Sequence, residues 1–164
     1  MNAPTRLFDI LEKQVKTLPI KRALNTKYNG KWVPTSSEDF LEQSNQISRG
    51  LLQLGLSKGD KVSIISSNNR TEWCIIDIGV LQIGAIDVPI YPTITAKDFA
   101  YIINHSESKY CFVSDQEVFD KIKSIKKECP NLKEVYSFDE ITGCKHWTEV
   151  LNLGRDSAHQ PKVI

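Results

Sequence analysis

The sequence is poor in the features that assign a function outright. Lys and Arg, 21 together, barely exceed Asp and Glu, 20, so the formal net charge is +1. That balance sets aside nucleic acid as a partner, because such binding needs Lys and Arg concentrated on one face to displace phosphate counterions. The densest basic run, Lys121, Lys123, Lys126 and Lys127, sits among Glu117, Asp120 and Glu128. It reads as the solvated face of a helix, with a contact to an anionic surface as the alternative. Cysteine is sparse: Cys74, Cys111, Cys129 and Cys144 lie 37, 18 and 15 residues apart, and none forms a C-x-x-C pair. Neither a zinc site nor a secreted disulfide framework is suggested. The eight glycines fit neither G-x-G-x-x-G nor the P-loop G-x-x-x-x-G-K-[ST], so no phosphate cradle can be placed. Long apolar runs are missing as well. The greasiest segment, Trp73 to Tyr91, is broken by Asp77, Gln82, Asp87 and Pro89, which excludes a transmembrane helix. No signal peptide opens the chain, and the expected compartment is the cytoplasm.

What is present is the composition of an ordinary soluble domain, 40% hydrophobic and 25% charged over 164 residues. At this length a folded chain buries roughly 70% of the surface its unfolded form exposes, enough for one core without staples. After Pro4, a good first helical residue, Leu7, Ile10, Leu11, Gln14, Val15 and Leu18 fall at helical spacing up to Pro19. Two short runs, Ala23 to Tyr28 and Lys31 to Val33, flank Asn29-Gly30, which predicts a β-hairpin with a type I′ turn. Ser36 or Ser37 caps a helix through Phe40, Ser44, Ile47, Leu51 and Leu54, stopped by Gly55.

From Gly59 the texture changes. Strand-like runs at Lys61 to Ser66, Ala85 to Tyr91, Tyr110 to Val113 and Leu132 to Phe138 alternate with three helical ones. The helix from Thr71 to Gly84 is apolar on nearly every side, which implies burial between layers. Thr95 and Asp98 have capping-box spacing for the second helix, and Glu117 to Cys129 forms the third. The pattern predicts an α/β fold: a mainly parallel, doubly wound sheet with flanking helices, preceded by an N-terminal helix and a β-hairpin. The expected organisation is one compact, truncated domain. Residues 1–58 hold the N-terminal helix, hairpin and capped helix, 59–153 the sheet portion, and 154–164 a linker stub.

A doubly wound sheet binds ligands outside the carboxyl ends of its strands, which directs attention to Ser66 to Arg70, Pro89 to Thr95 and Ser114 to Glu117. The acid/base inventory is thin. His105, His146 and His159 are not at helix-face metal spacing; His146 follows Cys144 by two residues, but two ligands alone do not make a site. Asp77 and Asp87 each interrupt an apolar element, read as carboxylates bonded to neighbouring backbone or, alternatively, as catalytic groups. Arg70 either pairs with an acidic neighbour such as Glu72 or contacts an anion.

The run Gly59-Asp60-Lys61-Val62-Ser63-Ile64-Ile65-Ser66-Ser67-Asn68-Asn69-Arg70-Thr71-Glu72-Trp73 resembles the amino-terminal region of acyl-CoA synthetases, members of the AMP-forming adenylate-forming superfamily. Thr35 to Phe40 after the hairpin, and Leu81-Gln82-Ile83-Gly84-Ala85-Ile86-Asp87-Val88-Pro89-Ile90-Tyr91-Pro92-Thr93, resemble further core segments in the same order. The Asn-Arg-x-Glu-Trp and Ile-Tyr-Pro-Thr forms are most similar to the long-chain fatty acid branch. The resemblance implies a parent enzyme that activates a fatty acid with ATP to an acyl-adenylate and passes it to CoA, with Mg²⁺ assisting. It equally implies that the phosphate loop, magnesium contact, ribose Asp and catalytic Lys lie outside this chain. No catalytic, cofactor-binding or metal residue is therefore assigned, no cofactor is expected on the fragment itself, and the chain alone is expected to be inactive. The parent's partners would be the small molecules fatty acid, ATP and CoA, with no nucleic acid and with a peripheral membrane contact left open; the fragment is expected to self-associate through uncovered edges or faces. The competing readings are a freestanding flavodoxin-like binding or interaction module and a regulatory half-copy that pairs with a full-length ligase.

Overall fold

A computed structural model describes residues 4–155. The chain divides into two compact units, each discontinuous in sequence. One takes the described parts of Met1–Gly55, Asn69–Gly84 and Val150–Ile164; the other takes Leu56–Asn68 and Ala85–Glu149.

The first unit is helical with one hairpin. Helix α1 spans Leu7–Thr17. It starts later than Pro4 suggests, because the Asp9 carboxylate accepts from the Thr5 and Arg6 backbone amides just ahead of the first turn. The hairpin pairs β1 (Leu24–Tyr28) with β2 (Lys31–Thr35), and Asn29 and Gly30 have φ of 48° and 80°, the signs a type I′ turn demands. Helix α2 (Ser37–Gln53) is capped by Ser36, whose hydroxyl accepts from the Asp39 amide at 3.0 Å, and its exit is the left-handed Gly55. Helix α3 (Thr71–Gln82) exposes no residue, in line with its all-round apolar sequence. It ends before Gly84, whose positive φ turns the chain out.

Small residues let α2 and α3 meet closely. The buried face of α2 carries Ser44, Ile47, Ser48, Gly50 and Leu51. Ser48 donates to the Gln82 amide oxygen at 3.0 Å, and Gln82 donates to Asn45 at 2.8 Å. Gln82, an interruption in the sequence pattern, is thus a buried crosslink. Helix α6 (Thr148–Arg155) closes the described chain, with its Val150–Arg155 portion in this unit. It includes Gly154 and Arg155, which the sequence reading assigns to a linker; the remainder of that segment, with His159, lies outside the described residues.

The second unit is the sheet: β3 (Lys61–Ile65), β4 (Ile86–Ile90), β5 (Tyr110–Val113), β6 (Glu134–Ser137) and β7 (Lys145–His146) in the order β4-β3-β5-β6-β7, every pairing parallel. Strand β7, two residues long, carries no alternation for sequence reading to find. Helices α4 (Ala96–Ser106) and α5 (Gln116–Ile125, continued by a 3-10 turn Lys126–Glu128) share a core with one sheet face built on Ile65, Phe99, Ile103, Cys111, Val113 and Ile122. Thr95 and Asp98 form the expected capping box on α4. Strand β4 is an edge. The Ile86 amide donates inward to the Asp60 carbonyl, so alternation turns the nitrogen of Pro89 outward, where its missing N–H breaks no ladder and blunts further pairing.

Candidate functional site

The strand order reverses at β3, with β4 on one side and β5 on the other, so the place to seek a ligand is outside the carboxyl ends of β3 and β5. The loops there are Ser66 to Asn68 and Ser114-Asp115. They are held to one another: the Ser67 amide donates to the Ser114 hydroxyl at 2.9 Å, and that hydroxyl donates to Asp115 at 2.7 Å. The Ser66 hydroxyl turns onto the Asn68 carbonyl at 2.6 Å, and the Ser114 amide donates to the Ile65 carbonyl. Asp115 caps α5, accepting from the Val118 amide at 3.1 Å. Burial pushes its carboxyl up, but bonds from Ser114, Val118, Ser67 and Glu117 outweigh this and hold it below the ordinary carboxylate value.

The chemistry of this arrangement follows from its accounting. An anion at a helix N-terminus needs free amides and no competing charge, whereas here a carboxylate already occupies that position. Nor does any serine of the two loops hydrogen-bond a histidine that could act as its base. The Ser67 amide and the Ser66 and Ser114 hydroxyls hold the loops in place, and with the Asp115 carboxylate at the start of α5 the residues present do not fit a nucleoside triphosphate. Among the described residues no group of three or more His, Cys, Asp or Glu could hold a metal ion. Replacing Asp115 by Ala is expected to cost about 1–2 kcal/mol through the lost cap. Because the folded carboxyl is shifted downward, that stability is fully present above the unfolded value of about 4 and fades as pH falls through the folded one. The gap between the parent and Asp115→Ala in urea midpoints should therefore close in acid; a gap constant down to the acid-unfolding limit would contradict it.

At the opposite end of the sheet an open depression of about 350 Å³ is lined by Asp60, Lys61, Glu107, Lys109, Asn131 and Lys133, with Pro130. Its charges are largely matched. Lys109 meets Asp60 at 2.6 Å and Lys61 meets Glu107 at 3.8 Å. Burial raises the Asp60 carboxyl, but Lys109 and the Ser57 donors more than reverse it, leaving the group below its usual value.

The Asn69-Arg70-Thr71-Glu72-Trp73 part of the run that carries the resemblance lies in the helical unit and forms a clamp. Arg70 grips Glu72 at 2.7 and 3.2 Å, the carboxylate buried and the guanidinium partly so, and the Tyr28 hydroxyl donates to the same carboxylate at 2.7 Å. The guanidinium also lies 5.1 Å from the centre of the Tyr28 ring. Beside it, the Thr26 hydroxyl accepts from the Thr71 amide at 2.9 Å and bonds the Thr71 hydroxyl at 2.8 Å. The segment thus fastens β1 to the first turn of α3. Arg70 takes the acidic-neighbour role of its two sequence readings.

The other sequence candidates are scattered. Asp77 is half-buried in α3, and Asp87 half-buried in β4 opposite Val62. His105 stacks on Tyr101 in α4 at 5.7 Å. Both ring nitrogens of His146 are engaged, with the Thr148 hydroxyl at 2.6 Å and the Phe138 carbonyl at 2.8 Å, while the Cys144 thiol donates to the Val135 carbonyl at 3.4 Å. Burial raises all four thiols, Cys144 to about 11, so none is a reactive thiolate near neutrality. The lysine run of α5 is not uniformly solvated. Lys121 donates to the Pro92 carbonyl at 3.3 Å and pairs with Glu117, and Lys126 donates to the Leu132 carbonyl. Sequence reasoning missed the Ser67–Ser114–Asp115 tie, although Asp115 followed by Glu117 is a legible helix start.

Comparison with known proteins agrees with this architecture. The family model described as "AMP-binding enzyme" matches residues 11–162. A long-chain-fatty-acid–CoA ligase of Xenopus laevis is 27% identical over 158 residues, covering 93% of this chain and 21% of the relative. A solved fatty acyl CoA synthetase of Mycobacterium tuberculosis superimposes with a TM-score of 0.71 at 21% identity, covering 94% of this chain and 29% of that one. The solved N-terminal domain of FACL13 from the same organism gives 0.69 at 19% identity, covering 94% and 37%. The chain therefore spans only about a fifth of the curated relative's length. With a shared fold and a family match running over nearly its whole length, the chain belongs to the AMP-binding enzymes.

Proposed function

We propose that this chain is the amino-terminal scaffold of a long-chain fatty acid–CoA ligase, part of the large AMP-binding domain of a cytoplasmic enzyme. The whole protein would activate a fatty acid with ATP and Mg²⁺ to an acyl-adenylate and transfer the acyl group to CoA. The observation that carries the reading is the family match across residues 11–162 together with a long-chain ligase of which the chain spans about a fifth. The internally satisfied switch point supports it: loops whose donors hold one another serve a scaffold better than a binding site. The same features disfavour a freestanding flavodoxin-like module.

Two measurements test the proposal. The isolated chain should give no ATP–pyrophosphate exchange with palmitate, and turnover above background would refute the placing of the active site outside it. A chimera in which residues 11–162 replace the matching segment of the Xenopus laevis ligase should retain palmitate-dependent acyl-CoA formation. A folded chimera that adenylates no fatty acid would refute the ligase reading itself.

A further inference from the structure

Three lysines stand abreast at the amino end of the sheet. Lys61 opens β3, while Lys109 and Lys133 directly precede β5 and β6. The Lys109 amide donates to the Lys61 carbonyl at 2.9 Å, and the Lys133 amide to the Lys109 carbonyl at 2.7 Å. They share one register, which the next residues continue as Val62 beside Tyr110 and Tyr110 beside Glu134. Neighbouring strands lie about 4.8 Å apart and residues in register point to one face, so like charges in these places oppose one another unless anions intervene. All three lysines line the open depression of about 350 Å³.

The carboxylates there are fewer than the ammonium groups, and they are held unequally. Asp60 is built in: it meets Lys109 at 2.6 Å, accepts from the Ser57 amide and hydroxyl at 2.9 and 3.1 Å, and its side chain is only 16% exposed. Glu107 is held loosely. It reaches Lys61 only at 3.8 Å, and its side chain is 69% exposed. It ends α4 with a φ of 56°, in the left-handed region where glycine is the usual residue. Lys133 pairs with no carboxylate among the described residues; its nitrogen lies 5.9 Å from the centre of the Tyr110 ring. The Asn131 side chain, on the same wall, makes no hydrogen bond among the described residues.

We propose that this depression binds a small phosphomonoester, its phosphate taken by the Lys61 and Lys133 ammonium groups and the Asn131 amide in place of the Glu107 carboxylate. A phosphate brings nearly two negative charges at neutral pH and three acceptor oxygens on one atom, which suits donors arrayed along neighbouring strands. Ligand pockets begin at about 300 Å³, so the space also admits a short stem along Pro130 beside the phosphate. Glu107 is then the weak countercharge that an incoming phosphate displaces, while the Asp60–Lys109 pair stays. The inference rests on this cluster alone and not on the ligase reading.

NMR titration of backbone amides in the chain with glycerol 3-phosphate, inorganic phosphate and succinate, each at constant ionic strength, tests it. Saturable shifts are expected at Lys61, Lys109, Asn131 and Lys133, at lower concentration with glycerol 3-phosphate than with inorganic phosphate, and none with succinate, whose two charges sit on separate groups. Lys61→Gln and Lys133→Gln should each weaken binding about ten-fold. Glu107→Gln should tighten it about five-fold, because the competing charge is gone. Ion pairs with a merely structural role would not move lysine and glutamate variants in opposite directions. Lys97→Gln, exposed in the first turn of α4 at the other end of that helix, should bind like the parent. The proposal is overturned by the absence of saturable shifts with glycerol 3-phosphate, by equal affinity for inorganic phosphate or succinate, by parental affinity in Lys133→Gln, or by affinity in Glu107→Gln no higher than the parent's.

Discussion

Replacing Glu72 by Ala is expected to destabilise the chain by about 3–5 kcal/mol, which would leave a domain of ordinary stability close to unfolding. The magnitude follows from what remains. The largely enclosed Arg70 guanidinium is left without this carboxylate, and the Tyr28 hydroxyl loses its acceptor. Urea unfolding should show a lower midpoint at unchanged slope. The variant that separates charge desolvation from mere packing is the triple Tyr28→Phe, Arg70→Met, Glu72→Met. It removes the whole network and keeps the volume, so it should recover most of the loss, because an apolar replacement of a buried ion pair is often neutral or better. A triple variant as unstable as Glu72→Ala would mean that the clamp's bonds, rather than the loss of the countercharge, carry the effect.

The network also has an alkaline signature. Burial, then the bond to Glu72, pushes the Tyr28 phenol up to about 12. A group raised in the folded state contributes stability that is complete below its unfolded value, about 10, and is lost as pH climbs towards the folded one. Parent and Tyr28→Phe should therefore differ at neutral pH and converge above pH of about 10. Convergence on the acid side instead would show the sign to be wrong.

The legible part of this chain was whatever local chemistry states in a few residues. Asn29-Gly30 specifies its turn, Ser36 and Thr95 their caps, and the β-branched run at Lys61 its strand, because each depends on neighbours within four positions. What escaped depends on residues far apart in sequence. Gln82 looked like a break in an apolar helix until Ser48 and Asn45, 34 and 37 residues away, supplied its partners. Glu72 was readable as a partner of Arg70, two residues off, but not of Tyr28, 44 residues earlier. The candidate site was legible as a location, since the carboxyl ends of parallel strands follow from fold class, yet its loops proved to be tied to each other across 47 residues.

Glycine supplies the second large effect. Helix propensity alone favours Gly50→Ala in the interior of α2 by about 1 kcal/mol. The structure reverses the sign. A Cβ at Gly50 would overlap the Val150 carbonyl, and one at Gly154 would overlap the Gln46 carbonyl and approach the Gly50 nitrogen at 2.8 Å. In both cases the obstacle is backbone, which cannot rotate aside, so α2 and α6 would have to part. Parting them also breaks the bond from the Arg49 guanidinium to the Gly154 carbonyl, now 2.8 Å. Gly50→Ala should then cost about 3 kcal/mol or more, net of propensity. Because one substitution already expels α6, adding the other should cost little more, and the double variant should fall well short of the sum of the singles. Hydrogen exchange would report α6 amides losing protection in either single variant while α3 keeps its own. Additive losses, or an α6 still protected in Gly50→Ala, would mean that the helices absorb a methyl without separating and that the close approach is not what holds the end of the described chain in place.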